Sequence, residues 1–223
     1  MIYSEKMIAF HIFDMDGTLV DNDCDVSWKL FLVHAGLAPE SDIALAEKYY
    51  YDYVDGVLDL DEFLSFQLRE FVGNTHAEMA ALCQRHFDEV VRPKCRPGAI
   101  AATRAVTASG TPSTILSSTN TMISEPVRAF FGITETAGPT LELDGSGRFT
   151  GKLVGDYTLG PQKVVRMRQM AEKRGITPAE IAAYGDSAAD IPLLSSVGHP
   201  FVVAPSEELR AEALKRNWQI LKW

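Results

Sequence analysis

The sequence predicts an α/β fold: a parallel sheet with helices on both faces and an all-helical insertion near the N-terminus. Three observations predict it. Residues 8–13 form an almost unbroken apolar run, the pattern of a short strand buried on both faces. Residues 24–92 then hold four successive segments with apolar residues at helical spacing. After Pro97-Gly98, short apolar runs alternate with helical periodicities to the end of the chain, as βαβ units do.

The first strand ends in two acids, Asp14 and Asp16, and the chain turns at Gly17. Open parallel sheets bind ligands beyond the carboxyl ends of their strands. Two carboxylates therefore stand where such a fold does its chemistry. The inserted helices are expected at 26–35, 43–54, 59–72 and 76–91. Gly36-Leu37-Ala38-Pro39, Asp55-Gly56 and Gly73-Asn74-Thr75 break them, with Ser41 and Thr75 as N-caps. Such a block predicts a cap of residues 21–95 over a core of 1–20 and 96–223. In the core, helices are expected at 99–108, 121–131, 161–174, 191–195 and 207–216. Strands are expected at 112–116, 181–184, 201–203 and 218–221, and residues 141–154 carry a hairpin signal around Asp144-Gly145-Ser146-Gly147.

Composition narrows the function classes. A chain of 223 residues, 46% hydrophobic and 23% charged, suits one or two globular domains. No apolar stretch approaches the roughly 20 residues needed to cross a bilayer. Residues 1–6 place Glu5 beside Lys6 without a signal-peptide profile, and Met7 is a second candidate start. A net charge of −9 without any basic cluster argues against nucleic-acid binding. Cys24, Cys83 and Cys95 have no metal-ligand spacing and fit reduced cytoplasmic thiols. Cys24, close to the two acids, is read as packing or pocket lining rather than as a nucleophile.

Asp14-Met15-Asp16-Gly17-Thr18 has the look of a calcium loop, but such a loop needs further alternating acids and a closing Glu, and residues 18–20 are Thr-Leu-Val. Three later places carry site chemistry. Ser117-Ser118-Thr119-Asn120 lies between a strand and a helix, where a hydroxyl and backbone N–H groups form either a phosphate cradle or a simple cap. Lys163 opens a helix, where the macrodipole opposes a cation unless something negative compensates. Asp186 and Asp190 follow the strand at 181–184, one helical turn apart, and Gly185 permits a close backbone approach.

Taken in order, these residues resemble the four motifs of the haloacid dehalogenase superfamily of phosphatases. Asp-x-Asp-x-Thr stands at 14–18, the strand-end hydroxyl at Ser117, the lysine at Lys163, and Gly-Asp-x-x-x-Asp at 185–190. The resemblance spans the chain. It implies a Rossmann-like core and, for helices inserted after the first motif, the C1-type cap of the phosphoserine phosphatase-like branch, subfamily IB. It further implies a Mg²⁺-dependent phosphatase. Asp14 would be the nucleophile that becomes an aspartyl-phosphate, and Asp16 the general acid and base. Lys163 and Ser117 would hold the phosphoryl group. Mg²⁺ would take the Asp14 carboxylate, the backbone carbonyl of Asp16 and the Asp186 carboxylate. Asp190 would orient Lys163 or a metal-bound water.

Elementary chemistry is consistent with those roles. A carboxylate is already ionised at neutral pH and needs no activating base. The acid role asks that Asp16 be protonated when substrate binds, so its pKa must be raised by burial or by neighbouring acids. Like charges about 4 Å apart repel by roughly 4 kcal/mol at an effective dielectric of 20. Four crowded aspartates and a phosphate therefore require counter-charge, which one Mg²⁺ and Lys163 supply; hard oxygen ligands favour that ion.

Gly17, Ser118, Asp23 and Arg69 are the expected substrate contacts. Asp23 stands where phosphoserine phosphatases carry a Glu that reads the substrate ammonium. Arg69 resembles the cap arginine that binds the substrate carboxylate; a helix-flanking acid and an exposed helix arginine are the plainer alternatives. Ser118-Thr119 replaces that family's Gly-Gly, and Ser187 its common Gly. These departures widen the expected substrate to amino-bearing phosphomonoesters, phosphoserine and histidinol phosphate among them. A phosphomutase or phosphotransferase is the alternative enzyme, and a phosphate-binding module without turnover the alternative class. The complete acid set argues against the latter, since a binder has no need of Asp16.

Overall fold

β1 (Phe10–Phe13) is buried at every position and runs along the middle of a six-stranded parallel sheet. The computed structural model describes residues 7–155 and 157–223; the N-terminal residues 1–6 considered above lie outside the described residues. β2 (Ser113–Leu116) and β3 (Glu135–Ala137) follow on one side of β1. The hairpin strands β4 (Thr140–Leu143) and β5 (Phe149–Val154) form a separate antiparallel pair. β6 (Ile181–Gly185), β7 (His199–Val203) and β8 (Gln219–Leu221) then build outward from the other side of β1. The strand order is β3-β2-β1-β6-β7-β8. The direction of winding reverses at β1, and such a switch point opens a crevice at the carboxyl edge.

Period-two alternation sorts the sheet into two apolar layers. Phe10, Ile12, Ile181 and Ala183 face one side, over α7 (Pro161–Arg174), α8 (Ile191–Leu194) and α9 (Glu207–Arg216). Phe13, Ile115, Ala182 and Tyr184 face the other, over α5 (Pro97–Ser109) and α6 (Thr121–Phe131). The inserted helices are α1 (Cys24–His34), α2 (Asp42–Val54), α3 (Leu60–Leu68) and α4 (His76–His86). Trp28 of α1 and Met79 and Cys83 of α4 join the second apolar layer. α2 buries little beyond Asp42 and Ala46 and leaves Tyr50, Tyr51 and Val54 exposed. These helices divide in their packing: α1 and α4 share an apolar layer with the sheet, whereas α2 buries few side chains and borders the crevice.

The differences from the sequence reading are local. β1 is shorter than the apolar run, because the Ala9 N–H bonds Glu180 O outside the ladder. α3 stops at Leu68 rather than 72, and α4 gives way to a π-helical turn at Phe87–Val91 before Pro93. Ser41 makes no side-chain cap; Thr75 does, in a capping box with Glu78. β3 was not foreseen, since its polar Glu-Thr-Ala sequence carries no apolar signal and it is ordered as a sheet edge.

Candidate active site

Three adjacent strands deliver the site. Asp14 follows β1, Ser117 follows β2 and Asp186 follows β6, so the sheet register itself brings together residues more than a hundred positions apart. The Asp14 N–H is anchored to Tyr184 O at 3.0 Å. Lys163 enters from the first turn of α7. Its Nζ lies 2.7 Å from Asp14 Oδ1 and 2.7 Å from Asp190 Oδ1, all three side chains being buried. This answers the helix-terminus question: two carboxylates compensate the lysine. Burial works against its charge, yet Asp14 and Asp190 hold it well above the ordinary lysine range.

Asp190 is fully committed to positioning. Its second oxygen accepts the N–H groups of Asp186 and Ser187, both at 3.2 Å, and the Ser187 hydroxyl at 3.3 Å. A Cβ on Gly185 would stand 2.6 Å from the Cβ of Asp190, so only glycine lets this acid pack under the strand end. Asp186 is held by the Thr18 hydroxyl at 2.9 Å. Its carboxylate lies over Gly17, whose φ of +73° and lack of a side chain are both required: a Cβ there would be 2.1 Å from Asp186 Oδ2.

Carboxylate oxygens of Asp14, Asp186 and Asp190 lie within 4.8 Å of one another. Burial, then Asp14 and Asp190, push Asp186 up to about 9; burial lifts Asp14 to about 6 even against Lys163. Paired carboxylates this crowded call for a proton or a cation between them. The donors are all hard oxygens and Gly17 leaves room beside them, so these residues fit a small divalent cation. The Asp16 carboxylate is engaged elsewhere: it accepts the Cys24 N–H at 2.8 Å and the Thr119 hydroxyl at 2.7 Å. Any contribution of Asp16 to a cation falls to its backbone carbonyl. Burial and the neighbouring Asp23 raise its carboxyl to about 7.

Ser117 is buried and its Oγ accepts the Thr119 N–H at 3.1 Å, while Asn120, not Ser117, caps α6. The Ser117 hydroxyl proton is therefore directed neither to the cap nor to Thr119. Asp14, Lys163, Ser117, Ser118 and Gly17 all border one cavity of about 790 Å³ that extends beneath α2 and α3.

The two remaining expected contacts fare differently. Asp23 borders the cavity, but one oxygen caps α1 by accepting the Val26 N–H at 2.9 Å. Arg69 does not line the cavity; it pairs with Asp42 and, at 2.6 Å, with Glu70. These pairs hold it outside the cavity, so the expected reading of a substrate carboxylate by Arg69 has no geometric basis here. Sequence reasoning also missed Asp25, Gln67, Tyr53 and Tyr157, all on the cavity wall. The alternating acids of Asp21-Asn22-Asp23-Cys24-Asp25 were the signal available for Asp25. Cys24 contributes its backbone N–H and a buried thiol whose pKa burial pushes far up, consistent with packing.

The family model for haloacid dehalogenase-like hydrolases matches residues 12–195. The chain is 35% identical to a histidinol-phosphatase of Neisseria meningitidis serogroup C over 216 residues, covering 95% of this chain and 97% of that one. It is 28% identical to the phosphoserine phosphatase SerB1 of Mycobacterium tuberculosis, covering 96% of this chain and 70% of the relative. A solved structure of a protein of unknown function from Bordetella pertussis Tohama I superposes with a TM-score of 0.85 at 29% identity, over 96% of this chain and 98% of that one.

Proposed function

The chain belongs to the haloacid dehalogenase-like hydrolase family, and from that premise we propose that it is a Mg²⁺-dependent phosphatase acting on a small phosphomonoester through an aspartyl-phosphate. The observation that carries the reading is the buried Lys163 held at 2.7 Å by both Asp14 and Asp190, with Asp186 alongside. Structural ion pairs close their charge; this one keeps an excess of buried carboxylate facing a cavity.

Asp14 attacks phosphorus as the ester P–O bond breaks, and the Asp16 carboxyl gives its proton to the departing alkoxide oxygen. Asp16, now a carboxylate, takes a proton from a water, which attacks the aspartyl-phosphate and releases inorganic phosphate and free Asp14. The raised pKa of Asp16, to about 7, leaves a substantial fraction of it protonated near neutral pH, as the acid role requires. Thr119 and the Cys24 N–H hold that carboxyl in place. Lys163 and Ser117 offer donors to the phosphoryl oxygens as charge develops there. Mg²⁺, held by Asp14, Asp186 and the Asp16 carbonyl, would neutralise the phosphate and polarise its oxygens. Asp190 positions Lys163 and the 185–187 backbone.

The substrate class is an ester whose alcohol part bears a positive group, in keeping with the name of the Neisseria relative and with the acids on the cavity wall. A cytoplasmic setting suits the three free cysteines, and no helix among the described residues is long and apolar enough to cross a membrane. Phosphate release from p-nitrophenyl phosphate tests the chemistry. Activity is expected with Mg²⁺ and not with EDTA. Asp14→Asn is expected to lower kcat by at least about 10⁴-fold with an unchanged circular dichroism spectrum. Substantial turnover by that variant would remove Asp14 as the nucleophile.

A further inference from the structure

The cavity beside the phosphate site is strongly one-signed. Among the described residues of its wall Lys163 is the only lysine or arginine, and its ammonium is already shared by Asp14 and Asp190. Against it stand Asp16, Asp21, Asp23, Asp25 and Glu208. A substrate carboxylate would meet like charge and no cation, because Arg69 is tied to Asp42 and Glu70 outside the cavity.

Asp25 is the acid best placed to receive a ligand. Gln67 of α3 grips it twice, donating to Asp25 Oδ1 at 3.0 Å and to its backbone oxygen at 3.2 Å. The Thr119 hydroxyl lies 3.4 Å from Asp25 Oδ2 but only 2.7 Å from Asp16 Oδ2. A hydroxyl has one proton, and the shorter contact takes it, leaving Asp25 Oδ2 with only this long contact among the described residues. Asp23 differs in being occupied as the cap of α1.

Aromatic rings stand near both sets of charges. Tyr53 of α2 lies near Lys163 and Asp14, Tyr157 lies near Asp25 and Asp23, and both rings border the cavity. Tyr49 and Phe66 add apolar surface. Ring faces stack with flat heteroaromatics and attract cations. A volume of about 790 Å³ exceeds what a phosphate and a short amino acid fill.

Resting on the phosphatase reading above, we propose that this cavity selects a phosphomonoester whose alcohol part carries an ammonium and a flat ring but no carboxylate, with Asp25 as the residue that reads the positive charge. Burial, with Asp23 and Asp16 close by, holds the Asp25 carboxyl well above its ordinary range, and an entering cation relieves that crowding.

The test uses the full chain with Mg²⁺ and three esters: histidinol phosphate, O-phosphoserine and p-nitrophenyl phosphate. Histidinol phosphate is expected to exceed phosphoserine in kcat/KM by at least about 100-fold. In Asp25→Asn, the ratio of kcat/KM for histidinol phosphate to that for p-nitrophenyl phosphate is expected to fall at least tenfold, about 1.4 kcal/mol, mainly through KM. An unchanged ratio, or a preference for phosphoserine, overturns the inference while leaving the phosphatase reading standing. A complete lack of turnover on all three esters overturns that reading instead. Calorimetric binding to the unaltered protein needs neither turnover nor a variant: L-histidinol is expected to bind at least about tenfold more tightly than L-histidine, which carries a carboxylate in place of the hydroxymethyl group. Equal affinities would overturn the inference.

Discussion

Two lysines are buried among the described residues, and their surroundings differ in an instructive way. Lys29 of α1 is wholly inaccessible, donates to Phe66 O at 2.5 Å and pairs with Glu70, whose other oxygen is taken by Arg69 at 2.6 Å. Arg69 in turn binds the buried Asp42. Two cations meet two acids, the charges close, and none of the four borders the cavity. Lys163 instead faces Asp14 and Asp190, with Asp186 beside them and open space in front. Burial lowers the Lys29 pKa, whereas two carboxylates raise that of Lys163 despite burial. A balanced buried network staples helices; an unbalanced one at a cavity is an appetite for a cation and a phosphate. Burial alone does not tell the two apart, and charge balance does.

Replacing each lysine is the sharpest way to break this comparison. Lys163→Met is expected to reduce kcat for p-nitrophenyl phosphate by about 10³-fold, roughly 4 kcal/mol of barrier, since a donor to the transition-state charge is lost. Lys29→Met is expected to act on stability instead. It leaves Arg69 as the single cation for both Asp42 and Glu70 and should cost about 3–5 kcal/mol, roughly 10 °C of melting temperature for a chain of this size, with activity per folded molecule kept within about threefold. Similar activity losses in both variants, read with thermal melts, would erase the distinction drawn between the networks.

Smaller effects sharpen it. Burial lifts the folded-state pKa values of Asp14, Asp16 and Asp186 to about 6, 7 and 9. The metal-free fold therefore keeps protons that the unfolded chain has lost. The stability this contributes is complete below about pH 4 and drains away as pH rises toward about 9. In EDTA the melting temperature should fall across that window, while Mg²⁺ at about 100 times its Kd should restore about 2.7 kcal/mol. The Mg²⁺ shift should grow with pH and vanish in Asp186→Asn. A shift that is the same at about pH 5 and about pH 9 would detach the ion from these carboxylates.

How much of this was legible in advance follows from where the physics is local. The helices at Thr121–Phe131, Pro161–Arg174 and Glu207–Arg216 have the bounds their periodicity predicted, and each closes on a left-handed residue, Gly132, Gly175 or Asn217, just past its last turn. Asp14, Ser117, Asp186 and Lys163 were visible as polar residues at strand ends and helix starts, positions that a parallel sheet gathers at one edge. Arg69 was expected at the substrate, whereas it pairs with Asp42 of α2 and with Glu70 outside the cavity, and the contact with Asp42 joins residues 27 apart. Thr119 gave no sign of serving Asp16, since that bond joins residues 103 apart.

The sequence by itself determined the chemistry: which acids, which lysine and which hydroxyl stand at the ends of which strands. A short apolar run followed by a polar residue is a local pattern, and the sheet has only one way to present it. Only the tertiary structure decided the selectivity. Gln67 against Asp25, the tyrosines of a sparsely buried helix bordering the crevice, and an arginine turned away from it all depend on how the inserted helices settle on the core. Packing between elements distant in the chain leaves no periodic trace along it.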